Sequence, residues 1–436
     1  MQKKIAAAVL SAIFMGLGQL YNRQWIKGIL FLAAGLGVVW AFTVADLAMY
    51  IKGLYTLGEQ PSGMVKVGKL VKMVEGDHSI FMMIEGLMAA LSLLLMATLY
   101  VAGIRDAYMI GRARDAGIPV QTFRQSIARM NQKSFAYFVL AVPAVVILFL
   151  TVLPIVFSVL LAFTNYADPI LPPANLIDWV GFANFVKLLS LKVWSGTFVG
   201  VLTWTIVWAT LATITTYIGG ILVAVLIHQP RIRFKTFWRT VMIVPFAIPS
   251  MISLLVMRNL FNNRFGPVND MLRSLNLGGV PWLTDPTWAK VTLLLVNMWI
   301  AVPITFILAS GILTTIPRDL YEAAEVDGAS ASQKFRSITL PMMLFSTAPV
   351  LIMQFAGNIN NFNVIYLLTD GNPANPNYQY AGHTDLLVTW LYKLALNQSQ
   401  YSFASVIGII IFLIVASLSI WSYRRTRSYK EEDMIV

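Results

Sequence analysis

The chain has 436 residues, of which 58% are hydrophobic and only 12% are charged, and its mean hydropathy is +0.70. These values exclude an ordinary soluble domain and are typical of a polytopic membrane protein. The formal net charge is +12, and the lack of cysteine excludes disulfides, thiolate metal sites and cysteine nucleophiles.

The basic residues lie in short segments between apolar runs, which is the distribution that inside-positive membrane topology requires. We therefore attribute the positive charge to interaction with membrane lipid and expect no binding of nucleic acid. We also expect no cleaved signal peptide, because no small-residue cleavage site follows the apolar stretch after Lys4. The composition thus predicts an all-α polytopic membrane protein.

The N-terminal third contains two or three apolar runs. The first, residues 5–20, is short for a membrane span and contains Gly16 and Gly18. It could cross the membrane, re-enter it or lie at its surface, and the sequence leaves these three possibilities open. Firmer spans are predicted at residues 28–50 and 80–104, with a polar loop between them.

The segment 105–133 is strongly basic and predicts a cytoplasmic linker. Alternation from this segment predicts six core spans, at residues 134–163, 198–228, 241–260, 288–313, 342–368 and 403–423. The segments that then face the cytoplasm carry more Lys and Arg than the opposite loops, as inside-positive topology requires. We therefore divide the chain into 1–133 with the additional helices and linker, a six-span core at 134–428 and a cytoplasmic tail at 429–436.

A polar segment at residues 317–338 interrupts two long apolar runs and is too charged to lie in lipid. A proline opens it, and the helix formers that follow place the small Ala323 and Ala324 on a face that another protein could approach closely. Gly328 ends this helix, and a second helical stretch runs on to Pro341. The sequence therefore predicts a helix–glycine–helix elbow at an aqueous face.

The elbow resembles the signature of ABC-importer permeases, which combines glutamate, two alanines, glycine, isoleucine, leucine and proline at fixed spacing. Every position is matched here, by Glu322, Ala323, Ala324, Gly328, Ile338, Leu340 and Pro341. The resemblance implies the transmembrane domain of a type I ABC importer, with six core spans plus two or three N-terminal apolar helices. It also implies that these seven residues couple the chain to an ATPase, with Glu322 as an acceptor for donors there.

Amide side chains lie within the predicted spans, where they are costly unless they find a partner or line a wet cavity. Gln354, Asn358 and Asn361 fall at i, i+4 and i+7, which predicts a column of amides on one helix face, and Asn297 lies in the preceding span. Amides donate and accept, and so they suit the hydroxyls of a neutral sugar. The equally weighted alternative is that they only bond helix to helix.

Several separated stretches are similar to sugar-importer permeases and occur in the expected order. The closest are VNMWIAVP at 296–303 and FAGNINNFNVIYLLTDG at 355–371, followed by AGHTDLLV at 381–388. These look like permeases of the maltose/maltodextrin importers, the MalF type, over about residues 135–428. The resemblance implies that sugar is held midway through the membrane by side chains of two helices, here Asn297, Asn358, Asn361, Gln354, Ile300, Ala301, Ile304 and Gly357.

The match to this family is incomplete at three of those positions. Ile304 and Gly357 stand where the family has an aromatic residue, and Ala301 replaces a glycine. Because two aromatic platforms for sugar stacking are missing, the exact sugar and its length stay open.

The sequence predicts no catalytic, metal or cofactor site in this chain. Gly68 and Lys69 are followed by Leu70 and so do not form a phosphate-binding loop, and the three scattered histidines fit no zinc or triad motif. The resemblance implies that ATP and Mg²⁺ bind to two separate ATP-binding cassette subunits. It also implies a second homologous permease (MalG type), an extracytoplasmic sugar-binding protein, and a location in the cytoplasmic (inner) membrane of a prokaryote with a cytoplasmic C-terminus.

Two other functional classes fit the sequence less well. A self-sufficient secondary transporter would show inverted repeats and membrane-embedded ionisable residues, and neither is visible. An intramembrane enzyme would need paired catalytic groups within the spans, and none can be assembled. The sequence leaves open the side of the N-terminus and the identity of the ATPase and binding protein.

Overall fold

The computed structural model describes residues 2–67, 70–120, 125, 135–229 and 231–425. Most of the second half of the predicted basic linker, the Gly68–Lys69 pair and the predicted tail at 429–436 lie outside the described residues. The chain divides into two compact units, Met1–Gly181 and Phe182–Val436. The predicted division at residue 133 stays a prediction.

In the described residues of the first unit, the regular structure is helical apart from one β-hairpin. Its helices are α1 (Lys3–Ile13), α2 (Leu17–Tyr21), α3 (Trp25–Thr43), α4 (Leu47–Thr56), α5 (Ser79–Asp115), α6 (Phe135–Ile147) and α7 (Leu153–Leu161), with a π-helix at Leu148–Val152. Strands β1 (Gly63–Val67) and β2 (Leu70–Val74) pair antiparallel in the polar loop between the two N-terminal spans, with Gly63 opposite Val74. The hairpin is an addition to the helical fold class that the sequence predicts.

The structure shows that the first apolar run does not form a membrane-spanning helix. Helix α1 has 11 residues, and its length of about 16 Å is too short to cross a hydrocarbon core of about 30 Å. The chain then turns at Gly16, which has a φ of 94°. Beyond the turn, the buried Gln19 and Asn22 donate to the carbonyl oxygens of Gly103 and Ala107 at 2.7 and 2.8 Å, so the run is anchored to α5.

The second unit contains the remaining helices. They are α8 (Ala183–Ser190), α9 (Lys192–His228), α10 (Lys235–Ala247), α11 (Ser250–Leu260), α12 (Pro267–Ser274), α13 (Pro286–Thr315), α14 (Arg318–Val326), α15 (Ala331–Lys334), α16 (Leu340–Ile359), α17 (Phe362–Leu368), α18 (Leu387–Tyr392) and α19 (Tyr401–Arg425), with π-helices at Phe335–Thr339 and Lys393–Asn397. Among its described residues, two buried clusters lie in the core. Trp208, Leu293 and Ile365 lie in one, and Ile221 and Phe306 lie in the other.

Seven described helices are long and apolar enough to cross a membrane, namely Trp25–Thr43, Ser79–Asp115, Val139–Leu161, Lys192–His228, Pro286–Thr315, Ala331–Leu368 and Tyr401–Arg424. A pair of helices, α10 and α11, is apolar enough when taken together but is bent by 93°, which is the form of a broken span or of a re-entrant loop. If the bent pair is counted as one span, the described helices match the predicted six core spans with two of the two or three N-terminal apolar runs.

The span predicted at 241–260 is wrong in one respect, because it is bent where the sequence analysis expected a continuous helix. Ile248 has φ −90° and ψ 131°, an extended backbone that ends α10 before the next helix begins at Ser250. Pro249 follows Ile248, and the residue before a proline is disfavoured in the helical region by steric clash. The bend therefore follows from the local sequence, since Pro249 disfavours a helical backbone at Ile248.

Candidate functional site

A cavity of about 460 Å³ lies between α9, α11, α13, α16 and α17 of the second unit. Its size is within the range of small-ligand sites. Among the described residues that line it, none is charged, and the polar groups are amides and hydroxyls. The lining residues are Tyr217, Ser250, Leu254, Asn297, Ile300, Ala301, Ile304, Thr305, Leu308, Thr347, Val350, Leu351, Met353, Gln354, Asn358, Asn361, Asn363 and Val364.

The structure brings together seven of the eight residues predicted to bind substrate. Those that line the cavity are Asn297, Asn358, Asn361, Gln354, Ile300, Ala301 and Ile304. Gly357 is the exception: it is exposed, and a Cβ atom added there would meet nothing within 4 Å. Open space therefore lies where the resemblance implies an aromatic side chain.

A helix break places Asn361, and the regular column of amides expected from its spacing is wrong at this position. Helix α16 ends at Ile359, and Asn361 lies between α16 and α17 with φ −76° and ψ 76°. Its Oδ1 accepts from the backbone N–H of Val364 at 3.4 Å and caps the start of α17. The amide group reaches the cavity because the chain breaks there.

Three asparagines, from α13, from α16 and from the break after α16, form a connected group. Asn361 Nδ2 lies 3.4 Å from Oδ1 of both Asn297 and Asn358, and Asn297 Nδ2 donates to Thr216 Oγ1 at 3.4 Å. Asn358 Nδ2 makes a shorter bond, 2.9 Å, to Thr213 Oγ1. The asparagines therefore bond helix to helix and also line the cavity, so both alternatives from the sequence describe part of the arrangement.

The hydrogen-bond lengths in this group distinguish one short bond, from Asn358 to Thr213, from three long contacts. Three of the four contacts are longer than the usual 2.7–3.2 Å and are correspondingly weak. Each side-chain amide has two N–H donors and an oxygen with two lone pairs, so capacity remains for a ligand. Hydroxyl groups that enter the cavity could replace the long contacts at little cost.

Two tryptophans of α9 support this region from behind, and the sequence analysis missed them. The indole of Trp208 is fully buried and donates to the backbone oxygen of Asn358 at 3.1 Å. Trp204 donates to the backbone oxygen of Thr384 at 3.2 Å. Because a buried indole N–H usually finds a partner, the Trp208 bond holds the end of α16, and the Trp204 bond holds the loop that follows α17.

The sequence analysis also missed several polar lining residues, including Tyr217, Thr305 and Thr347. Threonine gives a weak signal, since its hydroxyl usually bonds the carbonyl four residues back, as Thr347 does to Met343 at 2.7 Å. Tyrosine is enriched at membrane interfaces, so a tyrosine in the middle of a span was the available clue.

The elbow has the predicted helix–glycine–helix form. Helix α14 ends at Val326, Gly328 turns the chain with a φ of 74°, and a capping box between Ser330 and Gln333 starts α15. The π-helix Phe335–Thr339 and α16 follow without a break. The elbow is therefore continuous with the helix that carries Asn358.

The seven signature residues fall into different environments. Glu322, Ala323, Gly328 and Pro341 are exposed, Ala324 is half-buried, and Ile338 and Leu340 pack against the buried cluster of Ile221, Phe306 and Met343. The exposed members are available to another protein. The two aliphatic members attach the elbow to the helical core.

The loop between α17 and α18 is held by a buried carboxylate. Asp385 is fully buried and accepts from Gly382 N at 2.7 Å, Thr389 Oγ1 at 2.8 Å and Lys393 Nζ at 2.9 Å. Burial raises the pKa of Asp385, and the ammonium of Lys393 opposes that shift. Gly371 passes so close that a Cβ there would lie 2.1 Å from Asp385 Oδ1.

A helical membrane core with an uncharged, amide-lined cavity and an exposed elbow defines the transmembrane subunit of a transporter. Residues 216–427 match the family model described as "Binding-protein-dependent transport system inner membrane component". The chain belongs to this family and is a permease subunit of an ABC importer in the inner membrane.

Relatives match along the whole chain. Over 427 residues it is 40% identical to the galactooligosaccharides transport system permease protein GanP of Bacillus subtilis, covering 98% of each chain. Over 446 residues it is 37% identical to the maltodextrin transport system permease protein MalC of Streptococcus pneumoniae, covering 99% of this chain and 98% of that one.

The maltose/maltodextrin transport system permease protein MalF of Escherichia coli is 37% identical over 267 residues, which cover 60% of this chain and 52% of that protein. The resemblance to MalF-type permeases is therefore confirmed. A crystal structure of a bacterial alginate ABC transporter, in complex with an alginate pentasaccharide-bound periplasmic protein, shares the fold. Its TM-score is 0.56 at 22% identity, over 69% of this chain and 96% of that one.

Proposed function

We propose that this chain forms part of the translocation path for maltodextrin or a similar neutral oligosaccharide. The observation that carries the proposal is the cavity of about 460 Å³, whose described lining offers amides and hydroxyls and no charged side chain. Relatives that match the whole chain are named for maltodextrin and for galactooligosaccharides, which are both uncharged sugars.

The chemistry of the lining supports a neutral sugar over an acidic one. A sugar hydroxyl both donates and accepts, and so do the side chains of Asn297, Asn358 and Asn361. An acidic sugar would need a cationic partner in a site shielded from water, because a buried charge without one is costly. The aliphatic Ile300 and Ile304 would contact the apolar faces of the sugar rings.

The elbow is proposed as the joint to an ATPase. Glu322 and Ala323 are exposed, and the small alanine side chain allows a partner surface to approach closely. Ile338 and Leu340 tie the elbow to the core, and the π-helix leads directly into α16. Movement of the elbow would therefore displace α16 and the asparagine at its far end.

The remaining partners follow from the family. We propose that two ATPase subunits bind ATP and Mg²⁺, that a second permease completes the path, and that an extracytoplasmic binding protein delivers the sugar. The elbow and the C-terminus would face the cytoplasm, because the segments on that side carry more Lys and Arg than the opposite loops.

The test is uptake by the complete complex in proteoliposomes with its binding protein, over maltodextrins, galactooligosaccharides and an oligouronate of similar length. We expect uptake of a neutral sugar and none of the oligouronate. The binding protein also selects sugars, so the panel is repeated with Asn297→Leu and with a control, Asn360→Leu, at an exposed position outside the cavity. Uptake of the oligouronate, or equal uptake by both variants, would contradict the proposal.

A further inference from the structure

The cavity has a second polar end, formed by Tyr217 of α9 and Thr347 of α16. Their hydroxyl oxygens lie 2.6 Å apart, and both residues line the cavity. Thr347 precedes Asn358 by eleven residues, which is about 16 Å of rise along the helix. Along α16 between these two ends, the lining consists of Val350, Leu351 and Met353 together with the amide of Gln354.

The direction of the hydrogen bonds at this pair can be deduced. Thr347 Oγ1 lies 2.7 Å from the backbone oxygen of Met343, and a carbonyl can only accept, so the proton of Thr347 is directed there. Thr347 Oγ1 then accepts the proton of Tyr217. The phenol oxygen of Tyr217 keeps a lone pair that can accept a further hydrogen bond from the cavity.

The pair is also rigidly placed. Tyr217 is 6% exposed and Thr347 is 1% exposed. The ring of Tyr217 belongs to the buried cluster that contains Ile221, Phe306 and Met343. Packing already fixes the position of this acceptor, so it loses little side-chain conformational entropy when a donor binds. It is therefore suited to a donor at one specific position.

We propose that Tyr217 and Thr347 form a second sugar subsite, which accepts a hydrogen bond from a unit of the oligosaccharide beyond those held by the asparagines. This inference rests on the proposed function and deepens it. A trisaccharide or longer chain would contact both polar ends at once, whereas a disaccharide bound at the asparagines would not reach the pair. The pair therefore contributes to selection by chain length.

The alternative role of the pair is to hold α9 against α16, and chain length separates the two roles. Loss of a purely structural bond would affect the transport of short and long sugars equally. Loss of a subsite would affect only those sugars that reach it. Uptake of the short and of the long sugar must be measured on the same variant complex, so that any change in stability or assembly affects both measurements equally.

The experiment measures initial uptake of maltose and of maltotetraose, each below saturation and normalised to assembled complex, in the complete transporter. Tyr217→Phe keeps the ring and removes the oxygen. We expect it to lower uptake of maltotetraose relative to maltose by roughly tenfold. Thr347→Ser keeps a hydroxyl and should retain the wild-type ratio. Thr215→Val is the matched control, because Thr215 lies on α9 outside the cavity.

The outcomes are distinct. A selective loss for maltotetraose in Tyr217→Phe, with the wild-type ratio in Thr347→Ser and Thr215→Val, supports the subsite. An unchanged ratio in Tyr217→Phe, whether total uptake falls or not, overturns it. Failure of the wild-type complex to carry either sugar would instead overturn the proposed function on which the subsite depends.

Discussion

Two variants, Asn358→Leu and Thr213→Val, separate the contribution of Asn358 to sugar binding from its contribution to helix packing. Thr213 is the hydrogen-bond partner of Asn358. Asn358→Leu removes the 2.9 Å bond to Thr213 and the 3.4 Å contact from Asn361. Thr213 keeps its own bond to the carbonyl of Ala209 at 2.7 Å. The structural loss is therefore about two hydrogen bonds, or about 1–3 kcal/mol, part of which the leucine offsets by burial of apolar surface.

Thr213→Val removes the same 2.9 Å bond but leaves the amide of Asn358 in the cavity. It should lower the stability of the complex by about 1 kcal/mol and change the apparent sugar affinity by less than about threefold. Asn358→Leu should also leave sugar hydroxyls unpaired, which costs about 1–3 kcal/mol, or roughly ten- to a hundredfold in affinity.

The assay is sugar-dependent uptake by the reconstituted complex, together with its thermal midpoint. Expressing uptake per assembled complex removes differences in yield. If Thr213→Val weakens sugar uptake as much as Asn358→Leu does, Asn358 acts through helix packing and the proposed sugar contact is wrong.

Three further predictions concern coupling, stability and topology. Gly328→Asp should abolish sugar-stimulated ATP hydrolysis with assembly retained, whereas Gly278→Asp, at a similar φ and in similarly open space, should not; equal effects would argue against a coupling elbow. Asp385→Asn leaves the largely buried ammonium of Lys393 with a bond to the carbonyl of Asp370 but no carboxylate partner, and should cost about 3–5 kcal/mol in unfolding free energy. Asp270→Asn, from an exposed pair, should cost under about 1 kcal/mol. Ser332→Cys should resist an impermeant thiol reagent added outside intact cells, and ready labelling would reverse the proposed orientation.

The long spans and the elbow could be predicted because their signals are local. Apolar length defines a span within a single stretch of sequence, and the basic segments orient the spans together. Gly328 and the helix formers on either side predict the turn that the structure shows. Short-range rules also explain the bend before Pro249, although that proline was not used to predict it.

The cavity could be predicted only in part, because its geometry depends on contacts distant in sequence. Asn297 and Asn358 stood out because amides are costly in hydrocarbon. Tyr217 and Thr347 are 130 residues apart, and nothing in either segment alone shows that their hydroxyls meet. Asn361 lines the cavity, as its helical spacing from Gln354 and Asn358 suggested, but the helix is broken before it. The residue was therefore identified from a helical periodicity that does not hold at its position.

The most direct test of the account is a structure of the assembled transporter, trapped with a neutral oligosaccharide in the membrane path. The account predicts sugar hydroxyls within hydrogen-bond distance of the amides of Asn297, Asn358 and Asn361. It would be contradicted by a sugar bound elsewhere while these three side chains contact only one another and Thr213 and Thr216.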